Sequence, residues 1–201
     1  MKTSHAVATP IKQDPRITRS ESAIQNALFE QLRLGRDFSS LTVSEVAEFA
    51  GVTRKTFYAR FGSLEQLVER TVFDLFSELA TQIDDEMLKL PLRDNTLSMM
   101  VFDGYKAHQS TLAPLIQHCP AGLFVNPVSQ VIVQVLNRAV AVNNAQDLSN
   151  IDEAYLVATL ASVVHGVLAI WVNRGLTDSP EYVASFVDTL LVDGIQKVLL
   201  A

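Results

Sequence analysis

Apolar residues recur at three- and four-residue spacings along most of this chain, interrupted by polar start signals and single glycines. The pattern is most compact between Thr42 and Phe61. Val43, Val46 and Ala47 fall at i, i+3 and i+4, so a short helix there has one apolar face. Thr42 and Glu45 form the T-x-x-E pattern of a capping box, in which the hydroxyl satisfies a free amide and the carboxylate returns the bond. Gly51 stands where a left-handed residue ends that helix. Thr53 then caps a second helix, anchored inward by Phe57 and Phe61. Lys55, Thr56 and Ala59 face away from the anchors, flanked by Arg54, Tyr58 and Arg60. Two short helices joined at a glycine, the second presenting donors, cations and one small residue, have the layout of a DNA-reading helix-turn-helix.

The same pattern extends to both sides. Thr18 to Glu21 reads as the start of a first helix, with Ala23, Ala27, Leu28, Leu32 and Leu34 on its stripe and Gly35 ending it. Phe38 and Leu41 pack in the connection to Thr42. Ser63 and Gln66 open a long helix carrying Leu64, Leu67, Val68, Val72, Leu75, Phe76, Leu79 and Ile83, expected to run to about Asp84 and to link two modules. Beyond the break at Pro91, helices are expected from about Asn95 to His108 and, shorter, before Pro120. CPAGLFVNP reads as a loop, with Pro127 in the first turn of a helix ending near Val142, and NNAQDLSN as a second loop. Ile151–Asn173 is a long apolar helix. Gly175 caps its end, and Ser179 with Pro180 opens a final helix carrying Val183, Phe186, Val187, Leu190, Leu191, Val198 and Leu199. No alternating strand runs separated by hairpin dipeptides interrupt this pattern, so the expected fold is all-α. The expected organisation is an arm over 1–17, polar and broken by Pro10 and Pro15, a helix-turn-helix unit over 18–62, and a helical unit over 63–201.

Charge sharpens this division. The net charge of −6 argues at first against a nucleic-acid partner. Residues 1–62, however, carry nine Lys/Arg against six Asp/Glu, or +3, and residues 63–201 carry seven against sixteen, or −9. A basic end on an acidic body concentrates phosphate attraction at one end. Cys119 is a lone cysteine and suits a reducing compartment. The N-terminus lacks the apolar core of a signal peptide, so a cytoplasmic location is expected. The uncharged run Ala154–Asn173 is as long as a membrane span. It contains Thr159, Ser162, His165, Gly166 and Asn173 without flanking basic clusters, which favours a helix buried partly in its own unit and partly in a dimer over a membrane partner.

Candidate chemistry is sparse. His108, His118, Cys119 and His165 lack metal-ligand spacing, so neither a metal nor another cofactor is expected. No nucleophile elbow, Walker loop or dinucleotide fingerprint is present, and Asp84, Asp85 and Glu86 diverge around a helix as a solvated acidic face. Nothing therefore points to an enzyme. Phe102, Tyr105, His108, Arg138 and His165 are candidates for lining a ligand pocket in the second unit, although the aromatic residues suit a core equally well.

The segment from Thr18 to Val72 resembles the N-terminal domain of the TetR family of transcriptional regulators. The resemblance rests on Ile24/Ala27/Leu28, Gly35, Phe38, Thr42-Val43, Val46-Ala47, Ala50-Gly51-Val52, Thr56-Phe57-Tyr58, Phe61 and Glu65/Leu67. It implies a homodimer joined by the last two helices, a double-stranded DNA operator read in the major groove, and a small-molecule effector bound by the C-terminal unit, the usual outcome being a repressor released from a palindrome. It further implies that Thr42 meets phosphate and that Thr53, Arg54, Lys55, Thr56, Tyr58 and Arg60 form the DNA face. Two positions depart from the family pattern. Leu64 stands where a lysine is usual, and Arg60 where histidine is common. The lost lysine leaves room for an alternative: an interaction protein of the same fold that regulates through a protein partner.

Overall fold

A computed structural model describes residues 14–92, 96–145 and 150–200. These residues form nine α-helices and two 3-10 turns, with no strand among them. The first helix, α1 (Pro15–Arg33), begins earlier than the Thr18–Glu21 pattern suggests. Asp14 supplies the cap by accepting from the Arg16 amide at 2.9 Å, and Pro15 fixes the first helical φ. Residues 15–17 are thus helix rather than arm, while Lys2, Pro10 and Lys12 lie outside the described residues. Ile24, Ala27, Leu28, Phe29 and Leu32 are buried, but Leu34, expected on the stripe, is 73 % exposed beyond the last turn.

Gly35 (φ +80°) turns the chain into the 3-10 turn Phe38–Ser40, where Phe38 and Leu41 are buried as expected. Next come α2 (Val43–Phe49) and α3 (Arg54–Phe61), separated by Gly51 at φ +66°. The long α4 (Leu64–Thr81) starts at Ser63, whose hydroxyl accepts from the Gln66 amide at 3.2 Å. Its first turns bury Leu64, Leu67 and Val68 with Phe57 and Phe61, and its later turns set Phe76 edge-on against Phe124 at 5.4 Å. One apolar cluster therefore runs through both halves of the chain.

The connection after α4 is fastened by polar groups. The helix ends at Thr81, and Asp84 instead caps a 3-10 turn, Asp85–Leu88, by accepting from the Met87 amide at 2.9 Å. Arg138 donates to the Ile83 carbonyl, just past the end of α4, and to the Asp85 carboxylate, both at 2.9 Å. Asn143 donates to the Leu88 carbonyl and accepts from the Leu90 amide, each at 2.8 Å.

The helices α5 (Thr96–Ala107) and α6 (Gln109–His118) follow. The next helix, α7 (Gly122–Asn143), overturns the loop expected for CPAGLFVNP, because Leu123 to Pro127 are helical and Pro127 lies inside the helix. A proline there forfeits one backbone hydrogen bond. Burial of Phe124, Pro127, Val128 and Val131 offsets it, a tertiary gain that local signals do not carry. Asn144 closes α7 in the left-handed conformation (φ 48°), and residues 146–149 of the second expected loop lie outside the described residues. Finally α8 (Asn150–Asn173) and α9 (Pro180–Leu200) form a hairpin. Gly175 (φ +71°) and the Ser179 hydroxyl, which accepts from the Tyr182 amide, shape it as anticipated. A bidentate Arg174–Asp178 pair and the Trp171 indole, donating to the Asp178 carbonyl at 2.9 Å, lock it.

Candidate nucleic-acid interface and effector cavity

The outer surface of α2 and α3 follows from two caps and two anchors. Phe57 and Phe61 are 0 % and 4 % exposed, and their insertion fixes the rotation of α3 about its axis. Thr53 holds the helix start by accepting from the Thr56 amide at 3.1 Å, and the two hydroxyls lie 2.9 Å apart. Thr53, Arg54, Lys55, Tyr58 and Ala59 are thereby turned to solvent, and Tyr58 is 56 % exposed. Arg54 reaches Ser44 at 3.4 Å, close enough to bridge α3 to α2 without tying up the guanidinium. Lys55 has no ion pair among the described residues.

Arg60 occupies a different position. Its Nε donates to the Ser20 hydroxyl at 3.3 Å, so the residue is half-buried between α3 and α1. Arg16 and Arg19, at the start of α1, are exposed. Arg33 and Arg36 contribute less outward charge, being paired with Glu30 at 2.8 Å and Glu45 at 3.0 Å. Leu64 points into the core at 7 % exposure, so the cap of α4 offers no cation at this position.

Thr42 is more committed than its sequence position suggests. Its hydroxyl accepts from the Glu45 amide at 3.3 Å and donates to the Glu45 carboxylate at 2.7 Å, while the carboxylate also takes the Thr42 amide at 2.9 Å. The hydrogen bond from the Thr42 side chain, followed by that from Arg36, holds the Glu45 carboxyl below the usual carboxylate range. A depressed native pKa adds stability that is present above the unfolded value of about 4.3 and is lost as pH falls through the native one. Glu45→Gln is therefore expected to lower the melting temperature at pH 7, and the gap to wild type should close below about pH 4. A pH-independent gap in thermal melts would contradict this account of the cap.

A cavity of about 220 Å³ lies between α4, α5, α7, α8 and α9. Its walls are almost wholly apolar, with Leu79, Val101, Val131 and Leu160 on different helices, and Ser98 and Asp188 supply side-chain polar atoms. None of Phe102, Tyr105, His108, Arg138 and His165 lines it. Phe102 and Tyr105 are buried around Trp171, with ring centroids 5.8 Å from it. Arg138 braces the end of α4, as described above, and His108 stands at the α5–α6 junction. His165 packs against Phe124 at 5.4 Å, and burial lowers its pKa. Burial also pushes the Cys119 thiol up to about 12, and no group of three potential metal ligands converges among the described residues.

Sequence reasoning missed Ser98 and Asp188. A signal for the second was present: Ala184, Val187, Asp188 and Leu191 share one helical stripe, and an acid on an apolar stripe is a buried polar group in need of a partner.

Comparison with known proteins bears on the helix-turn-helix segment and on the fold. Residues 30–71 match the family described as bacterial regulatory proteins, tetR family. The HTH-type transcriptional regulator AlkX of Mycobacterium tuberculosis is 31% identical over 86 residues, which span 41% of this chain and 41% of that protein. The crystal structure of Lin0861 from Listeria innocua superposes with a TM-score of 0.69 at 15% identity, covering 90% of this chain and 94% of that one. The fatty acid degradation regulator FadR from Bacillus halodurans gives a TM-score of 0.52 at 16% identity, covering 92% and 99%. The resemblance read from Thr18 to Val72 and the all-α fold class both stand on these findings.

Proposed function

We propose, from the premise that this chain is TetR-like in its N-terminal domain and in its fold, that it is a cytoplasmic, dimeric, ligand-responsive repressor of a palindromic DNA operator. The observation that carries the reading is the outward set Thr53, Arg54, Lys55 and Tyr58, held in register by Phe57 and Phe61. On this reading α3 enters the major groove, where Arg and Lys suit guanine edges and phosphates. The Val43 and Ser44 amides at the start of α2, together with Arg16 and Arg19, supply phosphate contacts, because the Thr42 hydroxyl is spent on Glu45. Arg60 acts as a positioning residue between α3 and α1.

The dimer surface we assign to α8 and α9. Tyr155 and Ile170 on α8, and Tyr182, Phe186 and Leu190 on α9, are between 51% and 74% exposed. Ala158, Thr159 and Ser162 are exposed on α8 too, and a Cβ on Gly166 would meet nothing within 4 Å. Such an uncharged, partly large and partly small surface fits a second copy of itself, in which each α8–α9 pair covers its mate. It also accounts for a helix, Asp152–Asn173, that is long and apolar enough to cross a membrane yet packs against α6, α7 and α9 here. Leu190→Asp is expected to halve the molar mass at micromolar concentration, because a lone charge would have to be buried. An unchanged dimer in light scattering would remove α9 from the interface.

Regulation then requires two dimer conformations. An effector that binds one of them better lowers operator affinity by its differential affinity and no more. Since α4 lines the cavity with Phe76 and Leu79 and packs on α3 with Leu64 and Leu67, it is the element that would transmit the change. Selection from a random-duplex library tests the function as a whole. Enrichment of a palindrome with half-sites one turn apart is expected. No enrichment at low salt would overturn it in favour of regulation through a protein partner.

A further inference from the structure

The cavity is unusual in its single polar corner. Ser98 on α5 donates its hydroxyl hydrogen to Asp188 Oδ1 on α9. The other carboxylate oxygen, Oδ2, is buried and has no hydrogen-bond partner. A buried acceptor left unmade is costly, and the surrounding wall of Leu79, Val101, Val131 and Leu160 holds no group that could donate to it. We propose that this cavity binds a small aliphatic molecule ended by a hydrogen-bond donor, an alcohol or an ammonium, with the donor on Asp188 Oδ2 and the chain among the apolar walls. The proposal rests on the ligand-responsive reading above and adds the chemical class of the ligand.

Size and charge narrow the class. A cavity of 150 Å³ lined by apolar side chains accommodates benzene, so about 220 Å³ suits roughly nine non-hydrogen atoms. A carboxylate head is excluded, because it would set an anion against Asp188 with no cation on the cavity wall to intervene. A plain hydrocarbon fills the walls but leaves Oδ2 unpaired. A hydroxyl completes the acceptor, and an ammonium completes it with charge assistance. Because Asp188 sits on α9, Ser98 on α5, and Phe76, Leu79 and Ala80 of the wall on α4, a ligand seated this way touches both the assigned dimer helix and the element leading to α3.

The test is calorimetric titration of the full chain with 1-octanol, octylamine, nonane and octanoate. Octanol or octylamine is expected to bind at least tenfold more tightly than nonane and octanoate, and the order of the first two identifies which donor is preferred. Equal affinity for all four, tightest binding by octanoate, or no binding by any would overturn the proposal. Asp188→Asn retains an acceptor for Ser98 and turns Oδ2 into a donor, so the preference for octanol and octylamine over octanoate should fall by about tenfold or invert. Ser98→Ala keeps the carboxylate and should keep the preference, so a folding defect at Asp188 is not mistaken for support. A second titration, of DNA affinity with the same four compounds, separates the two readings. Selective octanol or octylamine binding with unchanged DNA affinity upholds the ligand class and sinks the effector role.

Discussion

Replacing Arg54 and Lys55 together by alanine is expected to remove specific DNA binding while leaving the protein folded. Both side chains are exposed at the start of α3, and Arg54 makes only a long contact with Ser44. Surface substitutions of this kind shift stability by no more than about 0.5 kcal/mol, so the melting curve should hardly move. On DNA the balance is different. A bidentate base contact is worth about 1–3 kcal/mol, and a dimer makes it twice, so the expected loss is about 2–6 kcal/mol, from roughly thirtyfold to 10⁴-fold in affinity. If Lys55 neutralises one phosphate per half-site, the slope of log affinity against log salt should also shrink by about 1.8. Gel-shift titrations at several salt concentrations measure both quantities. Wild-type affinity on a selected operator would show that the DNA face lies elsewhere. Loss of affinity with an unchanged slope would assign both side chains to bases rather than phosphates.

Arg60→Ala should behave differently, and the contrast separates contact from position. The guanidinium is engaged with Ser20, so its loss loosens α1 against α3 instead of deleting an outward contact. Its effect on affinity should therefore appear together with a lowered melting temperature.

The two halves of the molecule were not equally legible in the sequence. Around Thr42 to Phe61 every local signal agrees with the tertiary structure: the capping box, the glycine at φ +66°, the second cap and the anchors four residues apart. Short helices at a surface depend on caps and turn residues, and these are written locally. At the start of α1 two start signals compete, Asp14-Pro15 and the Thr18–Glu21 pattern. Asp14-Pro15 won, as a cap followed by a proline that cannot donate in any case. The region of α7 failed for the opposite reason. Pro120, Gly122 and Pro127 are breakers locally, and only the burial of Phe124 and Val128 against neighbouring helices makes the segment helical. The cavity was the least legible feature. Its walls come from five helices and the turn between α4 and α5, so no spacing in the chain distinguishes a Leu that faces a void from one that fills a core. Phe102 and Tyr105 have the aromatic character of pocket residues, yet large rings fill space, and these two pack on Trp171.

That aromatic cluster holds the largest fully buried side chain, Trp171, and so bears directly on stability. Trp171 is 1 % exposed, meets Phe102 edge-on and Tyr105 at a tilt, and donates its indole hydrogen to the Asp178 carbonyl. It therefore joins α5 to α8 and fixes the turn from which α9 departs. Trp171→Ala should cost about 3–5 kcal/mol through lost burial and the cavity left behind. Against a total of about 5–15 kcal/mol for a typical domain, that is enough to unfold much of the population on mild heating. Trp171→Phe retains most of the apolar volume and deletes the indole donor, so it isolates the Asp178 hydrogen bond at about 1 kcal/mol. Urea unfolding followed by far-ultraviolet circular dichroism at one fixed protein concentration measures both, since the stability of a dimer such as the one proposed depends on concentration. A cost below 1 kcal/mol for the alanine variant would mean that α5 and α8 collapse onto the vacated space, and that the α8–α9 hairpin is held by Arg174 and Ser179 rather than by the ring.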